Sequence, residues 1–352
     1  MLPGIGEIRF RKLLENFGTA EAVFEASEED ILQTGYIGAR QANTIKKGYD
    51  NQIIDSLFAT LEKEEIKIVN FQDADYPRNL KNIYDCPPIL FYRGDISRLN
   101  MPSVAIVGSR KASGYGKSMS RKITQELVEA GFAIISGFAR GIDTIAHKTA
   151  VENGGFTAAV MGCGLDRIYP PENKDLFGQL CEKGCLISEF FPGTPPVGGN
   201  FPKRNRVLSG LSHGVAVIEA AYRSGALSTA RHALEQGRGV FAVPGPADSP
   251  YSDGTNNLIK SGAKLTTCAQ DIIEELHNQI DIPLVSKSEK KTMEKLSGQQ
   301  KQIYECLDST GLHVDKIAKK VESDIPNVLN NLLEMELMGY IRALPGQRYA
   351  RV

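Results

Sequence analysis

The sequence predicts an α/β fold, a Rossmann-like doubly wound and mostly parallel sheet with helices on both faces. From about residue 101, apolar runs of strand length alternate with stretches of helical periodicity. The runs are apolar at consecutive positions, which is typical of strands covered on both faces. A helix-length segment joins each run to the next, as parallel neighbours require. The runs are SVAIVGS, FAIISG, FTAAVMG, CLISEF, GVAVIEA, GVFAVPG and AKLTT.

The composition is that of a globular protein with room for two or three domains. Of 352 residues, 41% are hydrophobic and 24% are charged, which excludes a disordered chain and a coiled coil. The net charge of −1 gives no sign of nucleic-acid binding, so a basic surface would have to be local. Six scattered cysteines predict free thiols. Neither a secretory signal nor a membrane-spanning run is apparent, so we expect a cytoplasmic protein without membrane contact.

The N-terminal part, residues 1–55, predicts short helices separated by glycines. Its GIG segment at Gly4–Gly6 resembles a helix-hairpin-helix, in which backbone amides hold a DNA phosphate. A tight turn explains the same residues. Residues 56–280 form the predicted sheet domain, which begins with two further strand-like runs, IKIVNF and PPILFYRG.

The C-terminal part divides into a linker and a small domain. Residues 281–296, DIPLVSKSEKKTMEKL, are polar and charged and predict the linker. Residues 297–352 predict three helices and then a β-ribbon, which is the pattern of a winged helix. Such a domain can place its third helix in a DNA major groove. Because that helix region carries Asp324, Glu334 and Glu336, contact with DNA and contact with protein both remain open.

Three glycine loops follow consecutive predicted strands, at the edge of the sheet where open α/β domains bind ligands. Backbone N–H groups and helix N-termini meet in such loops and can bind phosphates. Two arginines add positive charge to the same edge. The candidate residues in these loops are Gly108, Ser109, Arg110, Gly137, Arg140, Gly141, Gly162 and Gly164.

Two further clusters combine cations with aromatic rings. One begins with Tyr169 and contains Lys174 and, one turn later, Phe177. Rings can stack on bases while cations follow the backbone, so such clusters suit a single-stranded nucleic acid. A solvated helix start is an equally good interpretation of the second cluster. That second cluster comprises Asn200, Phe201, Lys203, Arg204, Asn205 and Arg206.

Motifs of the common enzyme classes are absent from the sequence. The first loop, GSRKASGYG, is not the GxGxxG fingerprint, and the second strand ends without the acid that would hold a ribose. A P-loop, a GxSxG elbow and an HExxH motif are also missing. We therefore expect no cofactor, no metal and no catalytic residue.

Several single residues have both a structural and a reactive interpretation. Asp143 is interpreted as a helix N-cap above a packed His147, with a catalytic pair as the alternative. Cys163 lies between two glycines, where a nucleophile could act, but no base is evident beside it. Glu219 is expected to hold a helix N-terminus or to pair with Arg223.

Five segments, in order along about residues 70–276, closely resemble the DprA/Smf family. That family has a helical module of the sterile-alpha-motif type before its Rossmann-like domain and a winged helix after it. The resemblance therefore covers nearly the whole chain. The segments are VAIVGSR, SGFARGIDTIAHKTAVENGG, YPPENKDL, NFPKRNRVLSGLSHGVAVIEAAYRSGALSTARHALEQGRGVFAVPG and DGTNNLIKSGAKL.

The resemblance implies a protein that binds and protects incoming single-stranded DNA in natural transformation and helps to load the RecA recombinase onto it. It also implies a homodimer formed through the Rossmann-like domain. By position, Arg110 and Lys174 match DNA-contacting cations of the family. The remaining glycine-loop residues match motif positions of the family without an assigned role, as do Arg204, Asn205 and Arg206.

An enzyme is the alternative. A related Rossmann-like group, the nucleoside monophosphate phosphoribohydrolases, could use a glycine-lined phosphate pocket equally well. That group has a PGGxGT loop with a nearby acid, whereas this chain has RSGALSTA. The difference favours binding over hydrolysis.

Overall fold

The computed structural model of the chain describes residues 4–48, 50–277, 296–307, 311–338 and 340–351. The chain forms two compact units, residues 1–283 and 284–352. Within the described ranges, no helix combines the length and the apolar character that a membrane span needs.

The first unit begins with five helices. The third starts with a capping box, in which the Ser27 and Asp30 side chains each accept a hydrogen bond from the other's backbone amide. Apolar side chains of the first four helices, among them Leu13 and Ile31, form a small core of their own. The helices are α1 (Glu7–Phe17), α2 (Ala20–Glu25), α3 (Glu28–Gln33), α4 (Ala39–Lys47) and α5 (Asn51–Lys63).

A sheet of nine strands forms the centre of the first unit. They are β1 (Lys67–Asn70), β2 (Ile89–Gly94), β3 (Ser103–Val107), β4 (Ala133–Ser136), β5 (Thr157–Val160), β6 (Cys185–Ser188), β7 (Gly214–Val217), β8 (Gly239–Ala242) and β9 (Lys264–Leu265). Their order is β1-β2-β6-β5-β4-β3-β7-β8-β9. Neighbours from β6 to β9 are parallel, whereas β2 is antiparallel to both β1 and β6. The predicted mostly parallel sheet is confirmed, with the two upstream runs as its antiparallel edge.

Helices cover both faces of this sheet. The helices between and after the strands are α6 (Arg78–Lys81), α7 (Gly114–Glu129), α8 (Ile142–Glu152), α9 (Lys174–Lys183), α10 (Asn200–Leu211), α11 (Gly225–Glu235), α12 (Asp253–Lys260) and α13 (Ala269–His277). Val104 and Ile106 of β3 pack with α7, α8 and α13, whereas Ala105 and Val107 pack with α10 and α11. Alternate residues of one strand thus enter two separate cores, which explains why the run is apolar throughout.

The strand order reverses at β3. Strands β4, β5 and β6 follow on one side of it and β7, β8 and β9 on the other. Loops that leave the two sides diverge, which opens a crevice beyond the carboxyl ends of the strands. The loops after β3, β4 and β5 are the three glycine loops of the sequence.

The second unit is a winged helix, as predicted. Its core contains Ile303, Ile317, Leu332 and Ile341. The predicted linker lies outside the described residues except for Leu296, which is buried in this core. The elements are α14 (Gly298–Cys306), β10 (Leu312–His313), α15 (Val314–Lys320), α16 (Ile325–Leu337), β11 (Ile341–Leu344) and β12 (Arg348–Arg351), with strand order β10-β12-β11.

Candidate nucleic-acid interface

The first two glycine loops are in contact at the carboxyl edge of the sheet. The backbone amide of Ile142 donates a hydrogen bond to the carbonyl oxygen of Ser109 at 3.1 Å. Gly141 has a φ of +77°, and an added Cβ there would overlap the Ser109 carbonyl. At Gly108 an added Cβ would lie 2.7 Å from Cγ1 of Ile142. These glycines are therefore required by the close approach of the two loops.

A shallow surface pocket opens where the three glycine loops meet. Five of the predicted residues line it: Arg110, Gly137, Arg140, Gly162 and Phe201. The other lining residues were not predicted as site residues and come mainly from the same loops. They are Phe138, Ala139, Met161, Cys163, Tyr169 and Pro170.

An aromatic ring and a cation meet at this pocket. Phe201, at the start of α10, packs directly on Gly162, where an added Cβ would lie 2.7 Å from Cδ1 of the ring. Its centroid is 5.8 Å from that of Tyr169, and the two rings are tilted by 36°. The exposed Arg110 lies over the same ring, with Cζ 5.3 Å from the centroid. An aromatic ring and an exposed cation from two different predicted clusters are thus adjacent at this pocket.

Arg140 is exposed, but its charge is largely compensated. Its Nη2 donates to Oε1 of Glu172 at 2.7 Å, and Nε donates to the same oxygen at 3.0 Å. This hydrogen bond raises the pKa of Arg140, and the Glu172 amide together with Arg140 lowers the pKa of Glu172. No signal in the sequence identifies this pair, because the two residues come from different loops.

Lys174 lies at the same edge of the sheet. It is exposed and begins α9 directly after Asn173. The Asn173 side-chain amide donates to the Phe138 carbonyl oxygen at 3.1 Å and to the Thr144 hydroxyl at 2.9 Å. Asn173 therefore fixes the start of α9 against the loop after β4, beside Arg140.

Arg204 is buried, which corrects its prediction as a cation for phosphate. Its side chain lies beneath the pocket, and Nη1 donates to the carbonyl oxygens of Gly137, at 2.5 Å, and Val160. The residue is 4% exposed because α10 is enclosed by the sheet, α6 and α11 from position 204 onward. Arg204 joins the ends of β4 and β5 and does not reach the solvent.

Asp143 is not the predicted N-cap, a position that Gly141 occupies in α8. Asp143 is buried in the first turn of α8 and accepts a hydrogen bond from the Ala139 amide at 3.2 Å. The charge of Arg204 stabilises its ionised form. Burial raises the pKa of Asp143 to about 6 and lowers that of Arg204 to about 10. His147 is also buried, as expected, and burial lowers its pKa to about 3.

Arg206 is the second cation of the cluster that does not face solvent. Its Nη2 pairs with Oε2 of Glu189, and its Nε lies 3.3 Å from Oδ2 of Asp85. Asn205 is buried beside it and donates to the Gly225 carbonyl oxygen at 3.3 Å. The charges of Arg206 are thus used to hold protein segments together, and its prediction as a phosphate ligand is wrong.

Of the remaining candidates, Phe177 and Gly164 are buried, whereas Lys203 and Asn200 stay near the surface. The Phe177 ring packs edge-on against Phe138 in the core, at 6.2 Å between centroids, so it is not available to stack on a base. Lys203 is exposed, and Asn200 is partly exposed at the start of α10. Gly164 packs against the backbone of Phe191.

The structure distinguishes between the alternative interpretations of Cys163 and of Glu219. Burial raises the pKa of Cys163 to about 11, so its thiol stays protonated at neutral pH. Glu219 accepts hydrogen bonds from the amide and hydroxyl of Ser113, the N-cap of α7, and so holds a helix N-terminus as one alternative predicted. Arg223, the partner of Glu219 in the other alternative, is exposed after β7 beside Tyr222, which was not predicted as a site residue.

Two family models match the chain. The model of DNA recombination-mediator protein A matches residues 67–277, and that of the DprA winged helix domain matches residues 287–347. Protein Smf of Escherichia coli is 39% identical over 90% of this chain and 85% of its own length. DNA processing protein DprA of Streptococcus pneumoniae is 47% identical over 62% of this chain and 77% of its own length.

Solved structures agree with these matches. The structure of DprA from S. pneumoniae superposes with a TM-score of 0.69 at 40% identity, over 77% of this chain and 94% of that chain. DNA processing protein A from Helicobacter pylori, described with a unique single-stranded DNA binding mode, has a TM-score of 0.55 at 31% identity and covers 61% of this chain and 98% of its own. With a family model over more than half its length, the chain belongs to the DNA recombination-mediator protein A (DprA/Smf) family.

Proposed function

We propose that this protein binds single-stranded DNA in the glycine-lined pocket at the carboxyl edge of its sheet. The observation that carries the proposal is the position of Arg110 over the ring of Phe201 at the pocket. The backbone of a single strand would follow the cations, while a base stacks on the ring. The single-stranded DNA binding described for the H. pylori relative supports the same assignment.

Three exposed cations form the proposed phosphate contacts: Arg110, Lys174 and Lys203. Arg140 belongs to the same edge, but phosphate must compete there with Glu172. Backbone amides of the glycine loops add donors that require no side chain. Because these groups contact phosphate and a ring face, binding should be tolerant of sequence.

The ionisable groups around the pocket favour a binding role over the hydrolysis of nucleotides. Among the described residues that line it, none is a carboxylate or a histidine. Asp143 and His147 are buried below it, and the Cys163 thiol is protonated at neutral pH. Cleavage of a glycosidic bond needs a general acid or a nucleophile within hydrogen-bond reach of the substrate.

In the cell, we expect the bound strand to be protected and passed to the RecA recombinase, and the protein to act as a homodimer through its Rossmann-like domain. Membership of the recombination-mediator family supports these expectations. Pull-down of RecA with the DNA-loaded protein and light scattering of the free protein test them separately.

The DNA site is tested by titrating oligo-dT at several salt concentrations with the double variant Arg110→Ala/Lys174→Ala. Loss of two phosphate contacts should weaken binding and reduce the slope of log K against log salt by about 0.7 for each contact. The matched control is Arg121→Ala/Lys148→Ala, which removes two exposed cations from α7 and α8. Equal affinities for the two variants would overturn the assigned site, and sustained release of free base from nucleoside monophosphates would favour the enzyme.

A further inference from the structure

A second, small pocket lies beside the end of β6 and is not part of the DNA site. Glu189 lines it, directly after the strand, with a side chain that is 8% exposed. One carboxylate oxygen, Oε2, is paired with Arg206. The other, Oε1, is buried and has no hydrogen-bond partner among the described residues. An unpaired buried acceptor of this kind is costly and indicates a missing donor.

The charges around this pocket do not balance. The single guanidinium of Arg206 faces three carboxylates: it pairs with Glu189, lies 3.3 Å from Asp85, and lies 3.4 Å from Glu7 of α1. Glu7 also lines the pocket. With all three acids ionised, these four residues carry an excess of two negative charges, and one excess negative charge remains when Lys203, whose charge also acts on Glu189, is included. The positive charge of a ligand would reduce this excess.

The remaining walls are apolar. Pro87 and Pro88 precede β2, and the rings of Phe91 and Phe191 pack against each other with centroids 5.1 Å apart. Such walls suit an unbranched methylene chain, as the stem of a lysine packs along apolar surface while its charge reaches a polar group. Ring faces also attract a cation.

We propose that this pocket binds a primary ammonium group on an aliphatic stem, which donates to Oε1 of Glu189 and to the carboxylate of Glu7. An ammonium fits better than a guanidinium, because a single free oxygen on Glu189 cannot accept a bidentate pair. The same chemistry is present in a lysine side chain of a partner protein and in a free aliphatic amine. Because Arg206 and Phe201 both belong to α10, the pocket is a neighbour of the DNA site along the same sheet edge.

Protonation of Glu189 would compete with such a ligand. Burial raises the pKa of Glu189 to about 7, and the charged groups that act on it are Arg206 and Lys203 of α10, Glu7 of α1, and Asp85. A cation binds the ionised form, so its affinity should be highest above pH 7. Below that pH it should weaken by up to about tenfold per unit, because protons occupy the same carboxylate.

The test is titration of the full-length chain with n-butylammonium chloride, monitored by calorimetry at pH 8 and constant ionic strength. n-Butanol is the neutral counterpart of equal stem length. We expect saturable binding of the ammonium at least tenfold tighter than that of the alcohol, and weaker binding at pH 6. Equal affinity for the two compounds, or no saturable binding of the ammonium, would overturn the proposal without any substitution.

Substitution then locates the site. Glu189→Gln should lower the affinity for butylammonium at least tenfold, whereas Glu152→Gln, which removes an exposed acid from α8, should leave it unchanged. If Glu189→Gln does not fold, Glu7→Gln provides the same comparison from the other wall. Equal affinities of the wild type and of Glu189→Gln for butylammonium would refute the site.

A comparison of spermidine with the peptide acetyl-Gly-Lys-Gly-amide distinguishes the two sources of the ammonium group. The compound that binds more tightly identifies the source.

Discussion

The guanidinium of Arg204 lies directly beneath Gly137, and its Nη1 donates to the Gly137 carbonyl oxygen at 2.5 Å. An added Cβ at Gly137 would lie 2.7 Å from Nη2 of the same arginine. The glycine loop of β4 is therefore supported from below by a buried charge. This support fixes the floor of the pocket, while the exposed groups above it remain available to a ligand.

Replacement of Arg204 by methionine should destabilise the first unit by about 3–5 kcal/mol, because two buried carbonyl oxygens would lose their hydrogen-bond donor and the buried Asp143 would lose a favourable nearby charge. The midpoint of urea denaturation measures this. Lys203→Met is the matched control, because Lys203 is the exposed preceding residue of α10, and it should change stability by less than about 0.5 kcal/mol. Similar midpoints for both variants would show that Arg204 does not hold the loop.

Removal of the Phe201 ring should weaken oligo-dT binding without changing its salt dependence. Stacking of one base on an aromatic ring contributes about 1–3 kcal/mol, so Phe201→Ala should lose about 5- to 150-fold in affinity. The salt slope should stay at the wild-type value because no phosphate contact is removed. Phe201→Tyr keeps the ring and should bind normally. A changed slope in the alanine variant would contradict a stacking role.

A methyl group at Gly162 should displace the Phe201 ring. The added Cβ would lie 2.7 Å from Cδ1 and 3.0 Å from Cε1, so Gly162→Ala should cost about 1–3 kcal/mol of stability and weaken DNA binding. Gly178→Ala is the control, since nothing lies within 4 Å of its added Cβ in α9. That variant should be stabilised by about 0.5–1 kcal/mol. Thermal denaturation distinguishes the opposite signs, and destabilisation of both variants would contradict the steric argument.

The stability of the fold should fall in acid because of His147. The Thr157 hydroxyl donates its proton to the carbonyl oxygen of Ile134, so the Thr157 oxygen must accept a hydrogen bond from Nδ1 of His147. The neutral ring then carries its lone pair on Nε2, which has no partner within the described structure. Burial lowers the pKa of His147 to about 3, so the folded state favours the neutral ring. The stabilisation that results from this preference is fully present above about pH 6.5, the pKa of a histidine in the unfolded chain.

As pH falls from about 6.5 towards 3, the unfolded chain takes up a proton that the folded chain resists, and about 1.4 kcal/mol is lost for each pH unit. His147→Gln cannot titrate at this position and is the reference. The difference in free energy of unfolding between wild type and variant should therefore shrink by about 2–3 kcal/mol between pH 7 and pH 4.5. A difference independent of pH would show that His147 is not held neutral.

The strands could be predicted from local pattern because burial on both faces leaves a continuous apolar run, as in SVAIV of β3. Glycine loops were located in the same way, since they follow each run at once. The role of the Lys203–Arg206 segment could not be predicted. Charge in a sequence does not reveal which side of a helix is enclosed, and α10 is enclosed from Arg204 onward.

Periodicity and short-range spacing were sufficient to predict which segments form strands and helices along the chain, the winged helix, and the edge of the sheet that carries the glycine loops. Which charges reach solvent depends instead on how distant segments pack. Arg110 remains exposed, whereas Arg204 and Arg206 are bound by carbonyl oxygens and carboxylates from segments distant in sequence. Such partners come together when the sheet and α10 pack, and buried charges require them.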